Sequence, residues 1–248
     1  MDKKLWKLCT DLKENYRFVE LSYDVSPDTP HWSGFPAMTS ETLFNYSDGF
    51  YVNKFCMVSQ YGTHVDAPSH FVAGRRMLNE IGADELILPL CVVDISGKAA
   101  ANADYAATVQ DITDWEARHG EIPAHSFVAL RTDWSKRDDL NNYDAEGQKH
   151  YPAWGLDAIK YLVEKRNVTA IGHETSDTDP PAISSKLGYV GETYILDQQR
   201  YQIELLRNLD QLPPTGALIV CGFPKVVDGA ALQRAALRSA NKRAANRE

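Results

Sequence analysis

The segment from Gln60 to His70 (QYGTHVDAPSH) concentrates side chains that could do chemistry. If this segment is extended, alternate residues share one face, so Gln60, Gly62, His64 and Asp66 point the same way. That face would present an amide, a gap at the glycine, an imidazole and a carboxylate. Imidazole and carboxylate are common ligands of Zn²⁺, Mn²⁺ and iron, so the spacing indicates a divalent metal site. A lone His-x-Asp pair is more often a surface or hydrogen-bonded feature, and that alternative stays open.

A second histidine follows the same segment. Pro68 cannot donate a hydrogen bond to a sheet and is expected to end the strand, which leaves His70 just beyond it near the same opening. Imidazole titrates near neutral pH, so His70 is the candidate general base or acid. A divalent ion would lower the pKa of water toward neutrality and polarise a carbonyl group.

Strands that alternate with helices must position these side chains. Apolar periodicity predicts helices over residues 3–14, Val109–His119 (with Thr108 as its cap) and Trp154–Arg166. Apolar or extended runs predict strands at Phe18–Tyr23, Tyr51–Ser59, Cys91–Ile95, Ser126–Thr132, Val168–Gly172 and Ala217–Cys221. The pattern over Tyr201–Leu209 fits either a strand or a helix. This order favours an α/β fold. The chain shows no internal repeat or linker, which favours one domain over residues 1–248.

The bulk composition excludes some functions. The 248 residues are 44% hydrophobic and 24% charged, and the formal net charge is -8. An acidic chain is a poor candidate for binding nucleic acid or an anionic membrane. The basic tail, residues 234–248, is the exception. We interpret it as a solvated terminal helix or a subunit contact.

The cysteines bear on location. The four cysteines form no Cys-x-x-Cys motif. Cys56, Cys91 and Cys221 lie in apolar runs, which predicts buried thiols in strands and a reducing compartment. The first residues lack the apolar stretch of a secretion signal, and no run is long enough to span a bilayer. These features predict a cytoplasmic protein.

The motif resembles the signature of the cyclase-like metal hydrolases, a family that includes bacterial kynurenine formamidase and isatin hydrolase. The family pattern is His-x-Gly-Thr-His-x-Asp-x-Pro-x-His, and six positions fall in register: Gly62, Thr63, His64, Asp66, Pro68 and His70. The stretch from Ile171 to Pro180 resembles the family's Gly-x-Asp-Thr-x-Ser-x-Asp, and Glu204 resembles its glutamate before an Asn-Leu pair. The resemblance runs from Phe18 to about Ser239 and implies the family's single-domain, swivelling β/β/α-type fold.

The resemblance also implies a set of ligands, with two departures. Gln60 stands where the family has a histidine ligand, and Glu192, twelve residues before Glu204, stands where it has another. The implied set is Gln60, His64, Asp66, Glu192 and Glu204, for one or two divalent ions per subunit. Its oxygen-rich composition favours Mn²⁺ over Zn²⁺ relative to the family pattern. Gln60 could instead bond a bound water or be structural, and both glutamates could be solvent-facing charges.

Other residues have open roles at this stage. Trp32 and Phe35, in a loop resembling the family's pocket loop, are candidates to bind substrate, or they pack in the core. His173 could orient a ligand from behind or be a buried core histidine. Asp177 and Asp179 are expected to cap turns beside Pro180.

The resemblance implies an activity and an assembly. The expected activity is hydrolysis of a non-peptide C–N bond in a small aromatic or cyclic amide, by a homodimer or homotetramer. A lyase, cyclase or lactone hydrolase on the same metal site is one alternative. A metal-free binding protein is another.

Overall fold

The computed structural model describes residues 3–233 and 236–242, and a mixed nine-stranded sheet runs through it. The strands of the described residues are β1 (Tyr16–Glu20), β2 (Thr39–Phe44), β3 (Val52–Cys56), β4 (His64–Asp66), β5 (Ile87–Asp94), β6 (Ala106–Ala107), β7 (Phe127–Arg131), β8 (Ala153–Trp154), β9 (Ala170–His173), β10 (Tyr201–Glu204), β11 (Ala217–Gly222), β12 (Ala231–Gln233) and β13 (Ala236–Lys242). The helices are α1 (Lys4–Asn15), α2 (Ser96–Ala101), α3 (Val109–His119), α4 (Leu156–Arg166), α5 (Pro181–Leu187) and α6 (Val190–Asp197).

The large sheet has the order β1-β13-β11-β5-β7-β9-β10-β4-β12. Its centre, β5-β7-β9-β10, is parallel, and the flanking pairs are antiparallel. Parallel strands read as continuous apolar runs because both faces are covered. In β7, Phe127 and Ala129 face one core while Val128 and Leu130 face the other.

The two cores differ in what closes them. One contains side chains of α3, α4 and α6, packed on one face of the sheet. The other is shared by strands from distant places in the sheet order, including Val19 of β1, Ile219 of β11 and Val65 of β4. The sheet therefore curls around this second core. The paired strands β4 and β10 each contribute a side chain to it, Val65 and Ile203.

Several predicted elements are confirmed. The helix predicted over 3–14 is α1, and α3 has the predicted bounds and cap. Thr108 Oγ1 accepts from Asp111 N at 3.3 Å and Asp111 Oδ2 accepts from Thr108 N at 2.7 Å, a reciprocal cap. The segment that sequence periodicity left undecided begins as β10, and its last residue, Leu209, starts a short 3₁₀ helix.

Two predictions are wrong. The terminal-helix interpretation of the tail fails for Ala236–Lys242, which forms strand β13 between β1 and β11; the rest of 234–248 lies outside the described residues. Cys91 and Cys221 are buried as predicted, but Cys56 is exposed, because β3 pairs only with β2 in a separate hairpin. No helix in the described part of the chain is long and apolar enough to cross a membrane.

Candidate active site

Two neighbouring strands bring the chemical groups together. Strands β4 and β10 are antiparallel, with His64 opposite Glu204 and Asp66 opposite Gln202. Because side chains alternate along a strand, Val65 and Ile203 face the apolar core while these four face the other way. All four polar side chains are buried. The alternative that Glu204 is a solvent-facing charge is therefore wrong.

Glu192 joins this group from helix α6. Asp179 holds the start of that helix, because its carboxylate accepts from Gly191 N at 2.8 Å and from Glu192 N at 3.0 Å. An acid at a helix N-terminus satisfies free N–H groups and favours the helix dipole. Asp179 thus caps helix α6, which begins eleven residues later in the chain, and not a turn beside Pro180. Glu192 is buried as well, so its solvent-facing alternative is also wrong.

One amide serves three carboxylates. Gln202 Nε2 lies 3.2 Å from Asp66 Oδ2, 3.0 Å from Glu192 Oε1 and 3.2 Å from Glu204 Oε1. Its own Oε1 accepts from Thr178 Oγ1 at 2.6 Å, which fixes the orientation of the amide. An amide nitrogen carries two hydrogens, so it cannot satisfy three acceptors at once. The carboxylates are therefore short of hydrogen-bond donors.

His64 presents a free nitrogen to the carboxylates. Its Nδ1 donates to Gly62 O at 2.8 Å, which in a neutral imidazole leaves the lone pair on Nε2. That Nε2 lies 3.6 Å from both Asp66 Oδ1 and Glu204 Oε2. Asp66 Oδ1 is buried and has no hydrogen-bond partner.

Two overlapping groups could hold a metal ion: His64, Asp66 and Glu204, and Asp66, His70 and Glu192. Within each group the ligand atoms lie within 4.8 Å of one another. The unpartnered oxygen, the free imidazole nitrogen and the surplus of carboxylates all fit a divalent cation.

Burial makes the charge imbalance costly. It raises the pKa of Glu204 well above its usual range, and the nearby Glu192 and Asp66 add to that effect. Burial and Asp66 raise the pKa of Glu192 in the same way. His173 is fully buried behind Glu204, with Nε2 at 3.4 Å from Oε1, and burial lowers the pKa of His173 to about 3. His173 is therefore neutral and does not balance the charge.

His70 and Gln60 sit at the mouth of the group. His70 follows Pro68 in a single 3₁₀ turn, so the proline ends β4 as predicted. Its Nε2 lies 3.7 Å from Asp66 Oδ1 and its Nδ1 lies 3.1 Å from Gln60 Nε2. Gln60 Oε1 also accepts from Ser59 Oγ at 2.5 Å. Both ends of the Gln60 amide thus have partners within the chain.

The extended segment is shorter than the sequence predicts. Only His64–Asp66 is a strand, and Gly62 has φ +61°, a left-handed conformation that side chains disfavour. A Cβ at Gly62 would also lie 2.8 Å from Thr29 Cγ2. The glycine therefore permits a turn that packs against Thr29. Its contacts do not show the predicted space for an ion at this position.

A cavity of about 270 Å³ opens onto this group. Trp32, Phe35, Phe71 and Tyr189 supply its aromatic wall, and Gln60, His64, His70, Ser176, Asp177, Glu192 and Glu204 complete the lining. Trp32 and Phe35 meet edge to face at 4.9 Å, so they line a cavity rather than pack in the core. Gly34 makes this possible, because the Trp32 indole occupies the space of any Cβ there.

Sequence reasoning missed several of these residues. Gln202 could have been found from Glu204, since residues two apart on a strand share a face, but only once β10 was known to be a strand. Phe71 and Tyr189 carry no motif and meet edge to face at 5.6 Å only in the fold. Asp177 does not cap a turn with its side chain: it accepts from Tyr151 Oη and lines the cavity. Burial raises the pKa of Asp177 to about 6.

Comparison of the sequence with known proteins identifies its family. Residues 19–180 match the cyclase family model, described as "Putative cyclase". An isatin hydrolase of Roseibium aggregatum is 32% identical over 233 residues, or 89% of this chain and 86% of that protein. Both findings confirm the resemblance inferred from the motif.

Solved structures agree. Isatin hydrolase A from Labrenzia aggregata, bound to benzyl benzoate, has a TM-score of 0.90 at 30% identity and covers 97% of this chain and 100% of its own. Isatin hydrolase A from Ralstonia solanacearum has a TM-score of 0.89 at 31% identity and covers 97% and 98%. The predicted α/β fold class is confirmed. The chain belongs to the cyclase family.

Proposed function

We propose that the protein is a divalent-metal-dependent hydrolase that cleaves a C–N bond in a small aromatic or cyclic amide. The observation that carries this proposal is a buried, under-neutralised carboxylate and imidazole group at the floor of an aromatic cavity. Buried acids with strongly shifted pKa values inside a cleft are typical of functional sites.

The proposed ligands are His64, Asp66, Glu192 and Glu204. A divalent ion held there would lower the pKa of water and polarise a carbonyl oxygen. Three carboxylates to one imidazole is an oxygen-rich set, which favours Mn²⁺ over Zn²⁺. The two overlapping groups share Asp66, so they could hold one ion or two per subunit.

His70 is the proposed general base and acid. It lines the cavity beside the ligands, where it can take a proton from the attacking water and pass it to the leaving nitrogen. Gln60, which its position in the motif makes a candidate ligand, contacts His70 Nδ1 at 3.1 Å. We propose that Gln60 holds the orientation of His70 instead of binding the ion. His173 is proposed to hold Glu204 from behind.

The cavity favours a flat, mostly apolar substrate. Trp32, Phe35, Phe71 and Tyr189 offer ring surfaces, and Ser176 and Asp177 offer polar atoms at the same opening. Isatin, the compound in the relatives' names, is a lactam fused to a benzene ring, which suits such walls. An arylformamide or a lactam is accordingly the proposed substrate class.

Assembly and location are also part of the proposal. We expect a homodimer or homotetramer, as the family resemblance implies. The four cysteines are free thiols, which is compatible with the reducing conditions of the cytoplasm.

A substrate panel tests the proposed function. Purified protein is supplied with Mn²⁺ or Zn²⁺ and offered isatin, an arylformamide and an aryl lactone in water enriched in ¹⁸O. We expect the amides to be consumed, with one ¹⁸O in each new acid. Consumption without label would favour a lyase or cyclase, and preferential loss of the lactone would favour a lactonase. No turnover and no bound ion would favour a binding protein.

A further inference from the structure

Asp177 is an acid of the cavity that has no part in the chemistry proposed above. It lines the cavity, but it belongs to neither group of residues that could hold the ion. The polar contacts described for His70, the proposed base, go to Asp66 and Gln60 instead. Any role of Asp177 is therefore separate from holding the ion and from moving the proton.

Tyr151 fixes one side of this carboxylate. Its Oη donates to Asp177 Oδ2, and its side chain is buried. Burial raises the pKa of Tyr151 far above its usual value, so the hydroxyl keeps its proton and remains a donor. An ionised carboxylate has about four acceptor positions on its two oxygens. Tyr151 fills one of them.

The other acceptor positions of Asp177 are open to the cavity. Among the residues that the structure describes, Asp177 forms no salt bridge, and its carboxylate accepts a hydrogen bond from Tyr151 alone. Lys149 approaches from outside the lining, with Nζ 5.4 Å from the centre of the Trp32 ring, and its charge lowers the pKa of Asp177. The molecule that occupies the cavity must therefore supply the missing partner.

The backbone around Asp177 is held in place. Thr178 Oγ1 donates to Gln202 Oε1 at 2.6 Å, and Thr178 O accepts from Trp154 N at 3.0 Å. Asp179, the next residue, is tied to the start of α6. A polar group that is fixed before the substrate binds loses little freedom on binding, which favours specific recognition.

The missing partner must be a hydrogen-bond donor or a cation, because an ionised carboxylate accepts hydrogen bonds and cannot donate them. The described lining of the cavity contains no lysine or arginine that could serve. A lactam or an arylformamide carries an N–H group next to the carbonyl that is cleaved. A lactone carries an oxygen atom there, which a carboxylate repels.

We infer that Asp177 accepts a hydrogen bond from the N–H of the scissile amide and thereby selects amides over lactones, with Tyr151 as the residue that positions its carboxylate. This inference rests on the proposed function, because it assigns a substrate contact within the same site. A hydrogen bond to a charged group changes an equilibrium by about 10–100-fold. A substrate without the N–H group loses that contact and leaves the carboxylate unpaired.

The experiment compares isatin with N-methylisatin, which keeps the reacting carbonyl and lacks the N–H group, at about pH 8, where Asp177 is ionised. Native protein supplied with Mn²⁺ should prefer isatin by about 10–100-fold in kcat/KM. Asp177→Asn should lose most of this preference, because its amide turns an N–H group toward the substrate when its oxygen accepts from Tyr151. A steric penalty against the methyl group would persist, since the two side chains have the same shape.

Two further variants sharpen the comparison. Asp138→Asn removes an exposed charge outside the cavity lining, and as the matched control it should keep the native preference. Tyr151→Phe should lower the preference for isatin by about 2–10-fold and leave the turnover of N-methylisatin near the native value. A merely structural role of Tyr151 would lower the turnover of both compounds equally.

Binding gives a readout that needs no turnover. Oxindole, a benzene-fused lactam without the second carbonyl of isatin, should bind native protein about 10-fold more tightly than N-methyloxindole in calorimetry, and Asp177→Asn should bind both equally. A protein that shows this binding preference but hydrolyses no amide would contradict the proposed function and support the inference. An unchanged preference for isatin in folded Asp177→Asn, or an equal loss of turnover on both compounds, would overturn it.

Discussion

Two clusters of acids and histidine occupy opposite environments in this molecule. In the exposed cluster, His150 Nδ1 lies 2.9 Å from Asp104 Oδ2 and Nε2 lies 3.1 Å from Asp144 Oδ2. These partners raise the pKa of His150, and His150 lowers the pKa of Asp144. Both imidazole nitrogens of His150 are therefore paired with an aspartate of the same chain.

The second cluster also combines acids with a histidine, but the hydrogen bonds of its acids are incomplete. It consists of His64, Asp66, Glu192 and Glu204. Its acids are buried, the only amide donor described for them serves three carboxylates, and Asp66 Oδ1 has no hydrogen-bond partner. A buried charge is costly unless it is paired. The difference shows that burial and missing partners, rather than a count of acids and histidines, mark a site for an external cation.

Removing a ligand should have the largest effect. Asp66 belongs to both ligand groups, so Asp66→Ala should lose the ion and lower kcat/KM by at least about a thousandfold, because the ion supplies several kcal/mol. Elemental analysis and steady-state kinetics measure both. Asp104→Ala, in the exposed cluster, is the control and should keep ion and turnover. An Asp66→Ala protein that keeps the native metal content would contradict the proposal that the buried cluster holds the ion.

Removing the proposed base should separate binding from chemistry. His70→Ala should retain at least one divalent ion, held by His64, Asp66 and Glu204, and lose about 10²–10⁴-fold in kcat. His150→Ala should leave kcat unchanged. Full activity of the 70 variant would show that another group moves the proton.

The buried cluster should make the stability of the metal-free protein fall as pH rises. A carboxyl whose pKa is raised by folding adds stability below its unfolded pKa, and this stability is lost as pH rises through the raised value. The pKa values of Glu192 and Glu204 are both raised. The Tm of metal-free protein should therefore fall as pH rises above about 4.3, the unfolded value for glutamate.

Saturating Mn²⁺ should reverse that loss. An ion at about 100 times its Kd adds about 2.7 kcal/mol, or roughly 5–10 °C in a chain of this size. Thermal melts across pH, with Glu204→Gln as the control, measure the effect. An identical pH profile for metal-free native protein and Glu204→Gln would refute the assigned cause.

The exposed cluster should give the smallest effect. The raised pKa of His150 means that its contribution to stability is present below the unfolded value, near 6.5, and is lost as pH rises through the folded value. Since all three side chains are partly exposed and solvent screens their charges, the change in Tm should be slight. Comparing the melts of native protein and His150→Gln tests this. A larger Tm difference for His150→Gln than for Glu204→Gln would contradict the contrast between the two clusters.

Local signals in the sequence predicted what local physics decides. Thr108 and Asp111 define the start of α3 because a cap depends on residues three apart. The shared face of His64 and Asp66 followed from strand alternation alone. The turn at Gly62 could not be predicted in this way, because it depends on contact with Thr29 from a distant loop.

Tertiary contacts decided the rest. Asp179 caps α6 across an intervening helix, and Gln202 reaches three acids that lie on different elements. Cys56 lies in an apolar run, which predicts burial, yet the hairpin finds no cover within the described chain.

A crystal grown with Mn²⁺ tests the central claim most directly, through anomalous scattering from the ion. We predict a peak about 2.0–2.4 Å from His64 Nε2, Asp66 and Glu204. No peak there at saturating Mn²⁺, or a peak at the exposed cluster of Asp104, Asp144 and His150 instead, would contradict the account.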